Sequence, residues 1–186
     1  MKHVKKSVLL WYSPHEMYAL VTAVEDYPRF LPWCERVEVL KRDAEGVTAR
    51  LYLAYAGVRH AFTTRNMHMP DQGVHVGLVD GPFSLLDGTW RFSTLPAPAV
   101  SNATPSASAM PAAPTVSADS TAPPGSTMPP AAAVDSAAKA CKIDFELRYA
   151  FANGALEALI SPVFDRIANT FVDAFVKRAE QVYGPR

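Results

Sequence analysis

From Glu35 onward the chain is punctuated by turn signals at short intervals, and that spacing leaves few folds open. The signals are Asp43-Ala44-Glu45-Gly46, Ala56-Gly57, Pro70-Asp71-Gln72-Gly73, Asp80-Gly81-Pro82 and Asp87-Gly88. Strands joined this closely must be antiparallel neighbours, because a parallel crossover needs a dozen or more residues. Between the signals the residues alternate as a half-buried sheet requires. Val47, Ala49, Leu51, Leu53 and Tyr55 share one face, with Thr48, Arg50 and Tyr52 on the other. The alternation returns at Trp90 and Phe92, and again at Cys141, Ile143, Phe145, Leu147 and Tyr149. The spacing therefore predicts a meander.

After Asn153-Gly154 the period becomes helical. Phe164, Ile167, Ala168, Phe171, Val172, Phe175, Ala179 and Val182 fall on one stripe, opposite Asp165, Arg166, Asn169, Asp173, Lys177 and Glu180. This predicts one long helix of roughly five turns from Pro162, with an earlier start at Leu156 left open, ending near Tyr183-Gly184-Pro185. At the other end, His3 to Tyr12 reads as a strand. Ser13-Pro14-His15-Glu16 is a capping box with proline at the first helical position, so a helix should run from Pro14 to about Glu25. Tyr27-Pro28-Arg29-Phe30-Leu31-Pro32-Trp33 suits a short second helix or an ordered loop over something hydrophobic. The order is strand, two helical pieces, six strands, long helix. The expected class is α+β, a curved antiparallel sheet of about seven strands around the C-terminal helix.

The stretch 96–139 breaks the pattern inside a hairpin. It is Ala, Pro, Ser and Thr with no aromatic residue, and only Asp119, Asp135 and Lys139 are charged. Such a composition cannot bury enough apolar surface to offset its ordering entropy, and its repeated prolines oppose helix. It is expected to be a disordered insertion within a single domain spanning 1–186, so deleting 97–138 should leave the melting temperature nearly unchanged.

Charge and chemistry narrow the function classes. The 18 basic and 18 acidic side chains cancel, so no overall field draws the chain toward DNA. The apolar run Val8 to Tyr12 is too short for a secretory or membrane segment, which predicts a soluble cytoplasmic protein. Cys34 and Cys141 match no metal or redox spacing, and the five histidines complete no ligand set, so no metal is expected. No nucleophile, Walker or dinucleotide pattern occurs, and Asp144 and Glu146 sit on the strand face opposite Phe145. The chain is expected not to be an enzyme, with no catalytic residue and no covalent cofactor.

A strongly twisted sheet curled around one helix leaves a space between them that is a natural ligand cavity. The aromatic inner residues Phe62, Trp90, Phe92, Phe145, Phe164, Phe171 and Phe175 fit either plain core or a binding wall. On the Phe62 face, His60, Thr64 and Asn66 fit either a satisfied core or rim role or the reception of a ligand carbonyl. The proline-bracketed 27–33 segment would act as a lid over the mouth, and exposed Phe30, Leu31 and Trp33 would give it a transient membrane contact.

Tyr27-Pro28-Arg29-Phe30-Leu31-Pro32-Trp33-Cys34 resembles the coenzyme Q-binding and RatA-type branch of the START-like, polyketide cyclase/dehydrase superfamily. The likeness continues through Phe62-Thr63-Thr64-Arg65-Asn66, Asp80-Gly81-Pro82-Phe83, Leu86-Asp87-Gly88-Thr89-Trp90-Arg91-Phe92 and Arg178-Ala179-Glu180-Gln181-Val182-Tyr183-Gly184. It covers the chain except 96–139. The resemblance implies a helix-grip fold holding a hydrophobic small molecule, ubiquinone or a related isoprenoid quinone, in support of respiration, in the cytoplasm or peripheral to the inner membrane. The ligand-binding residues expected on that basis are Tyr27, Phe30, Leu31, Pro32, Trp33, Phe62, Trp90, Phe92, Phe164, Phe171, Val172 and Phe175. The same resemblance carries an alternative, a toxin that binds the large ribosomal subunit and blocks subunit association, for which Lys2, Lys5, Lys6, Arg36, Lys41 and Arg42 are the candidate contacts. A cyclase-like enzyme is the second alternative.

Overall fold

The computed structural model describes residues 1–95 and 140–186, and the expected insertion at 96–139 lies outside the described residues. Seven strands form one antiparallel sheet: β1 (Lys2–Leu10), β2 (Cys34–Asp43), β3 (Gly46–Tyr55), β4 (Val58–Met69), β5 (Gly73–Asp80), β6 (Phe83–Thr94) and β7 (Cys141–Phe151). Their order is β1-β7-β6-β5-β4-β3-β2, so the meander from β2 to β7 is continuous and β1 adds to its last strand. Between β1 and β2 lie α1 (Pro14–Thr22) and a 3-10 turn, Val24–Arg29; α2 (Gly154–Tyr183) closes the chain.

The local chemistry explains the joints. Ser13 accepts from the Glu16 amide at 3.2 Å while the Glu16 carboxylate accepts from the Ser13 amide at 2.7 Å, so the capping box forms as expected. The helix ends at Thr22, short of Glu25, because the chain tightens into the 3-10 turn that Pro28 can enter without a donor. Ala56 and Gly57 take φ of 49° and 80°, which matches the handed turn of a two-residue hairpin. At Gly46 a Cβ would lie 1.9 Å from the Asn66 carbonyl oxygen, so only glycine lets β3 approach β4 there.

Two expectations are corrected. Asp87-Gly88 is not a turn; it sits within β6, where Gly88 pairs with Val76 on one side and Leu147 on the other. A Cβ there would crowd Leu147 Cδ1 at 3.3 Å and touch Val76 Cβ at 3.5 Å, so the glycine leaves space between these side chains. The final helix starts neither at Pro162 nor at Leu156 but at Gly154, where the Asn153 side chain accepts from the Leu156 amide at 2.9 Å. Pro162 lies inside it.

The core lies between the concave sheet face and α2. Ile160, Phe164, Ile167, Ala168, Val172, Phe175 and Ala179 are buried, whereas Val182, expected on the same stripe, is exposed. Lys2 pairs with Asp165 and Ser161 of α2, and Lys6 with Asp173 at 2.9 Å, pinning the helix to β1.

Candidate ligand cavity

A cavity of about 70 Å³ lies between the sheet and α2. Its wall takes Leu51 from β3; Phe62, Thr64 and Asn66 from β4; Val74 and Val76 from β5; Leu86, Gly88 and Trp90 from β6; and Phe145 and Leu147 from β7. Phe164, Ile167, Ala168 and Phe171 form the helix side, with Val21, Tyr27 and Trp33 closing one end. The register explains the grouping. Val76 faces Asn66 across β4 and β5, Gly88 faces Val76, and Leu147 faces Gly88, so four strands present one row to the interior. The absent side chain at Gly88 leaves room in that row.

The hydrogen-bonding side chains on this wall are few: Tyr27, the two indoles, Thr64 and Asn66. Tyr27 is committed elsewhere, donating its hydroxyl to the Val21 carbonyl at 2.6 Å, and burial pushes its phenol pKa up. Thr64 and Asn66 are 2% and 6% exposed, and the Asn66 amide oxygen has no partner. No carboxylate or cysteine is among the described lining residues. Cys34 and Cys141 are buried away from it, and burial pushes their thiols up to about 12 and about 11. They are poor nucleophiles at neutral pH. Among the described residues no group of three or more His, Cys, Asp or Glu is placed to hold a metal, and no helix is long and apolar enough to cross a membrane.

Of the twelve residues expected to touch a ligand, six line the cavity: Tyr27, Trp33, Phe62, Trp90, Phe164 and Phe171. Leu31, Phe92, Val172 and Phe175 are buried beyond its wall, Phe30 is half-buried and Pro32 is exposed. The 27–33 segment is therefore no lid with an exposed apolar tip. It folds inward because the Leu31 amide bonds to the Tyr27 carbonyl at 2.8 Å and the Cys34 amide to the Leu31 carbonyl at 2.9 Å, turning Leu31 and Trp33 into the core. Tyr27 and Phe30 meet Phe175 edge-on at 5.4 and 5.1 Å between ring centroids, so the segment plugs the end of the cavity.

Two other expectations move. Neither His60 nor His68 is among the lining residues, but His68, further along the same face of β4, lies beside the wall, opposite the lining residue Val74. Continuing the two-residue period past Asn66 would have found it. The six basic residues proposed for ribosome contact do not gather. Lys2, Lys5 and Lys6 belong to β1 and Arg36, Lys41 and Arg42 to β2, strands at opposite ends of the sheet order. All but Arg36 are in ion pairs, with Asp165, Glu146, Asp173, Asp43 and Glu25.

A bent antiparallel sheet gripping one long helix around an apolar hollow is the START-like class of fold, and the chain belongs to the polyketide cyclase / dehydrase and lipid transport family, which it matches over residues 10–176. Within that family it falls in the RatA and coenzyme Q-binding branch. It is 31% identical to the ribosome association toxin RatA of Pseudomonas aeruginosa over 98% of each chain. It is 26% identical to the mitochondrial coenzyme Q-binding protein COQ10 homolog B of Xenopus laevis, over 96% of this chain and 58% of that one. Among solved structures, the Zhui aromatase/cyclase of a Streptomyces species superposes with a TM-score of 0.67 at 15% identity, covering 97% and 94% of the two chains. A START superfamily protein of Mycobacterium smegmatis gives 0.61 at 15% identity, over 97% and 98%. At these identities the two structures speak for the fold alone.

Proposed function

We propose that the protein carries an isoprenoid quinone, ubiquinone or a close relative, between the sheet and α2, without covalent chemistry and in support of respiratory electron transport. The observation that carries this is the cavity itself, an apolar hollow with a polar pair, Thr64 and Asn66, on one wall. A plain core would have filled that place with aliphatic side chains, since a buried polar group without a partner costs free energy. The lipid transport in the family's description and the coenzyme Q-binding relative agree with it.

The volume sets a condition. About 70 Å³ holds a few waters, whereas drug-sized ligands occupy roughly 300–1,000 Å³. Loading therefore requires α2 and the 27–33 plug to move away from the sheet. Phe171 is only half-buried on the helix side of the wall, and the helix is tied to β1 through the Lys2 and Lys6 ion pairs, contacts that water can replace. No acid–base pair faces the cavity from the residues that line it, which favours carriage over catalysis. Such a carrier works in the cytoplasm and touches the inner membrane transiently to exchange its cargo. With Leu31 and Trp33 turned inward, exposed Leu9 and Trp11 at the end of β1 are the apolar groups available for that contact. Lipid extraction or native mass spectrometry of protein from a quinone-producing host should show a bound quinone. Repeated recovery of protein with no lipid would overturn the proposal.

A second reading, association with the large ribosomal subunit, is favoured by the full-length relative named for ribosome association. The surface that would serve this reading is the outer face of β2 and β3. There the Arg36 guanidinium lies 4.0 Å from the Tyr52 ring centroid and Arg50 lies 5.8 Å from it. Binding through phosphates should weaken steeply between about 50 and 200 mM salt, while quinone uptake should barely change.

A further inference from the structure

Three polar residues follow one another on the inner face of β4, where apolar ones would be expected: Thr64, Asn66 and His68. Asn66 Oδ1 and His68 Nε2 are both buried and, among the described residues, both without a hydrogen-bond partner. Buried polar atoms are nearly always paired, so two orphans on one strand face need an explanation. Their cross-strand partners Val76 and Val74 line the cavity, and Asn66 lines it directly. His68 is held edge-on by the Tyr18 ring at 6.1 Å between centroids, which fixes its orientation under α1. At the other end of the same wall stand Phe62, Phe164 and Leu86, with no polar group among them. The cavity thus has a polar end and a greasy end.

Its polar end also lacks a charge. Among the described residues no Lys, Arg, Asp or Glu lines it. Of the nearby cations, Arg65 is paired with Asp43 at 2.6 Å and Arg42 with Glu25. Burial, with these two arginines, lowers the His68 pKa, so its ring is neutral at pH 7 and offers one donor and one acceptor. A carboxylate or phosphate brought here would be buried without a counter-charge.

We infer that the Asn66–His68 pair, backed by Thr64, is a head-group site selective for uncharged, hydrogen-bonding lipids, those ending in a carbonyl or hydroxyl, over fatty acids and phospholipids. This rests on the lipid-carrying reading above and specifies which lipids that reading admits. Asn66 supplies an amide that bonds to either a carbonyl or a hydroxyl, His68 supplies the complementary atom, and the tail runs toward Phe62 and Phe164.

The test is calorimetric titration of the full chain with three probes: a short-tailed benzoquinone, a fatty acid of equal carbon count and an alkylbenzene. Wild-type protein should bind the benzoquinone at least about tenfold more tightly than the fatty acid. Asn66→Leu and His68→Leu should each lose about tenfold for the benzoquinone and keep the alkylbenzene. Because Asn66→Leu removes an unpaired buried acceptor, its melting temperature should hold or rise, so weakened binding would not be a folding defect. Fatty acid bound as tightly as benzoquinone, or both variants binding benzoquinone like wild type, would overturn the head-group site alone. Wild-type protein binding none of the three probes would overturn the lipid-carrying reading and this inference with it.

Discussion

Phe175 touches nearly every part of the molecule that matters to the cavity. It is fully buried, and its ring meets Tyr27, Phe30, Trp90 and Phe171 at 5.1–5.4 Å between centroids. Phe175→Ala removes the shared partner of the plug, the sheet and the helix, and should cost about 3–5 kcal/mol in urea denaturation. Phe171→Ala should cost less, because that ring is half-buried, and should show its main effect on ligand affinity. Periodicity put both phenylalanines on one stripe without telling them apart, since the distinction depends on where the 27–33 segment turns. A second residue-scale effect is electrostatic. The Arg65 guanidinium hydrogen-bonded to Asp43 holds that carboxyl down at about 2, below its usual value. A depressed folded pKa stabilises above the unfolded pKa and is lost as pH falls through the folded one. Asp43→Asn should therefore flatten part of the stability loss between about pH 4 and pH 2, followed by circular dichroism during acid titration. The site is exposed, and added salt should shrink the difference.

Among the elements, those with punctuation at both ends were legible. The capping box at Ser13 placed the start of α1, and Ser13→Ala should cost about 1 kcal/mol, read as a shifted denaturation midpoint with unchanged slope. The hairpin turns at 43–46, 56–57, 70–73 and 80–82 all appear where their residues demand, because positive φ or a fixed proline φ is a local requirement. Asp87-Gly88 misled because the same dipeptide serves a nonlocal purpose: Gly88 leaves space between β5 and β7 on the cavity wall, and Asp87 pairs outward with Arg148 at 2.7 Å. The start of α2 misled for a related reason. Proline at a first helical position is a strong signal, yet Pro162 lies inside the helix on its exposed side. Ala158, whose carbonyl would have received the missing donor, faces solvent. The inward fold of 27–33 was the least legible of all. Its prolines announced an irregular segment, but only the tertiary socket beside Phe175 decides that Leu31 and Trp33 point in.

At the scale of the whole molecule, the sheet is one meander whose last hairpin, β6 with β7, carries the intervening 96–139 stretch. The strands remain paired to the point where the described residues stop: Thr94 faces Cys141, and the Leu95 amide bonds to the Ala140 carbonyl at 3.2 Å. Leu10 also faces Cys141, so β1 and β6 flank the same end of β7. Nothing in this register requires a long connection, because antiparallel neighbours need only a two-residue turn. Deleting 97–138 leaves Pro96 and Lys139 to close the hairpin, with proline suited to the first turn position. Shortening a connection lowers the entropy cost of closing it, by about 0.6 kcal/mol for each halving. The melting temperature of the deletion variant should thus hold or rise, and benzoquinone binding should match that of the full chain, since the described lining residues all remain in the variant. A melting temperature lower by more than about 4 °C would mean that the stretch packs against the sheet and contributes on the order of 1 kcal/mol or more. Weaker binding at an unchanged melting temperature would instead make it part of how the cargo enters.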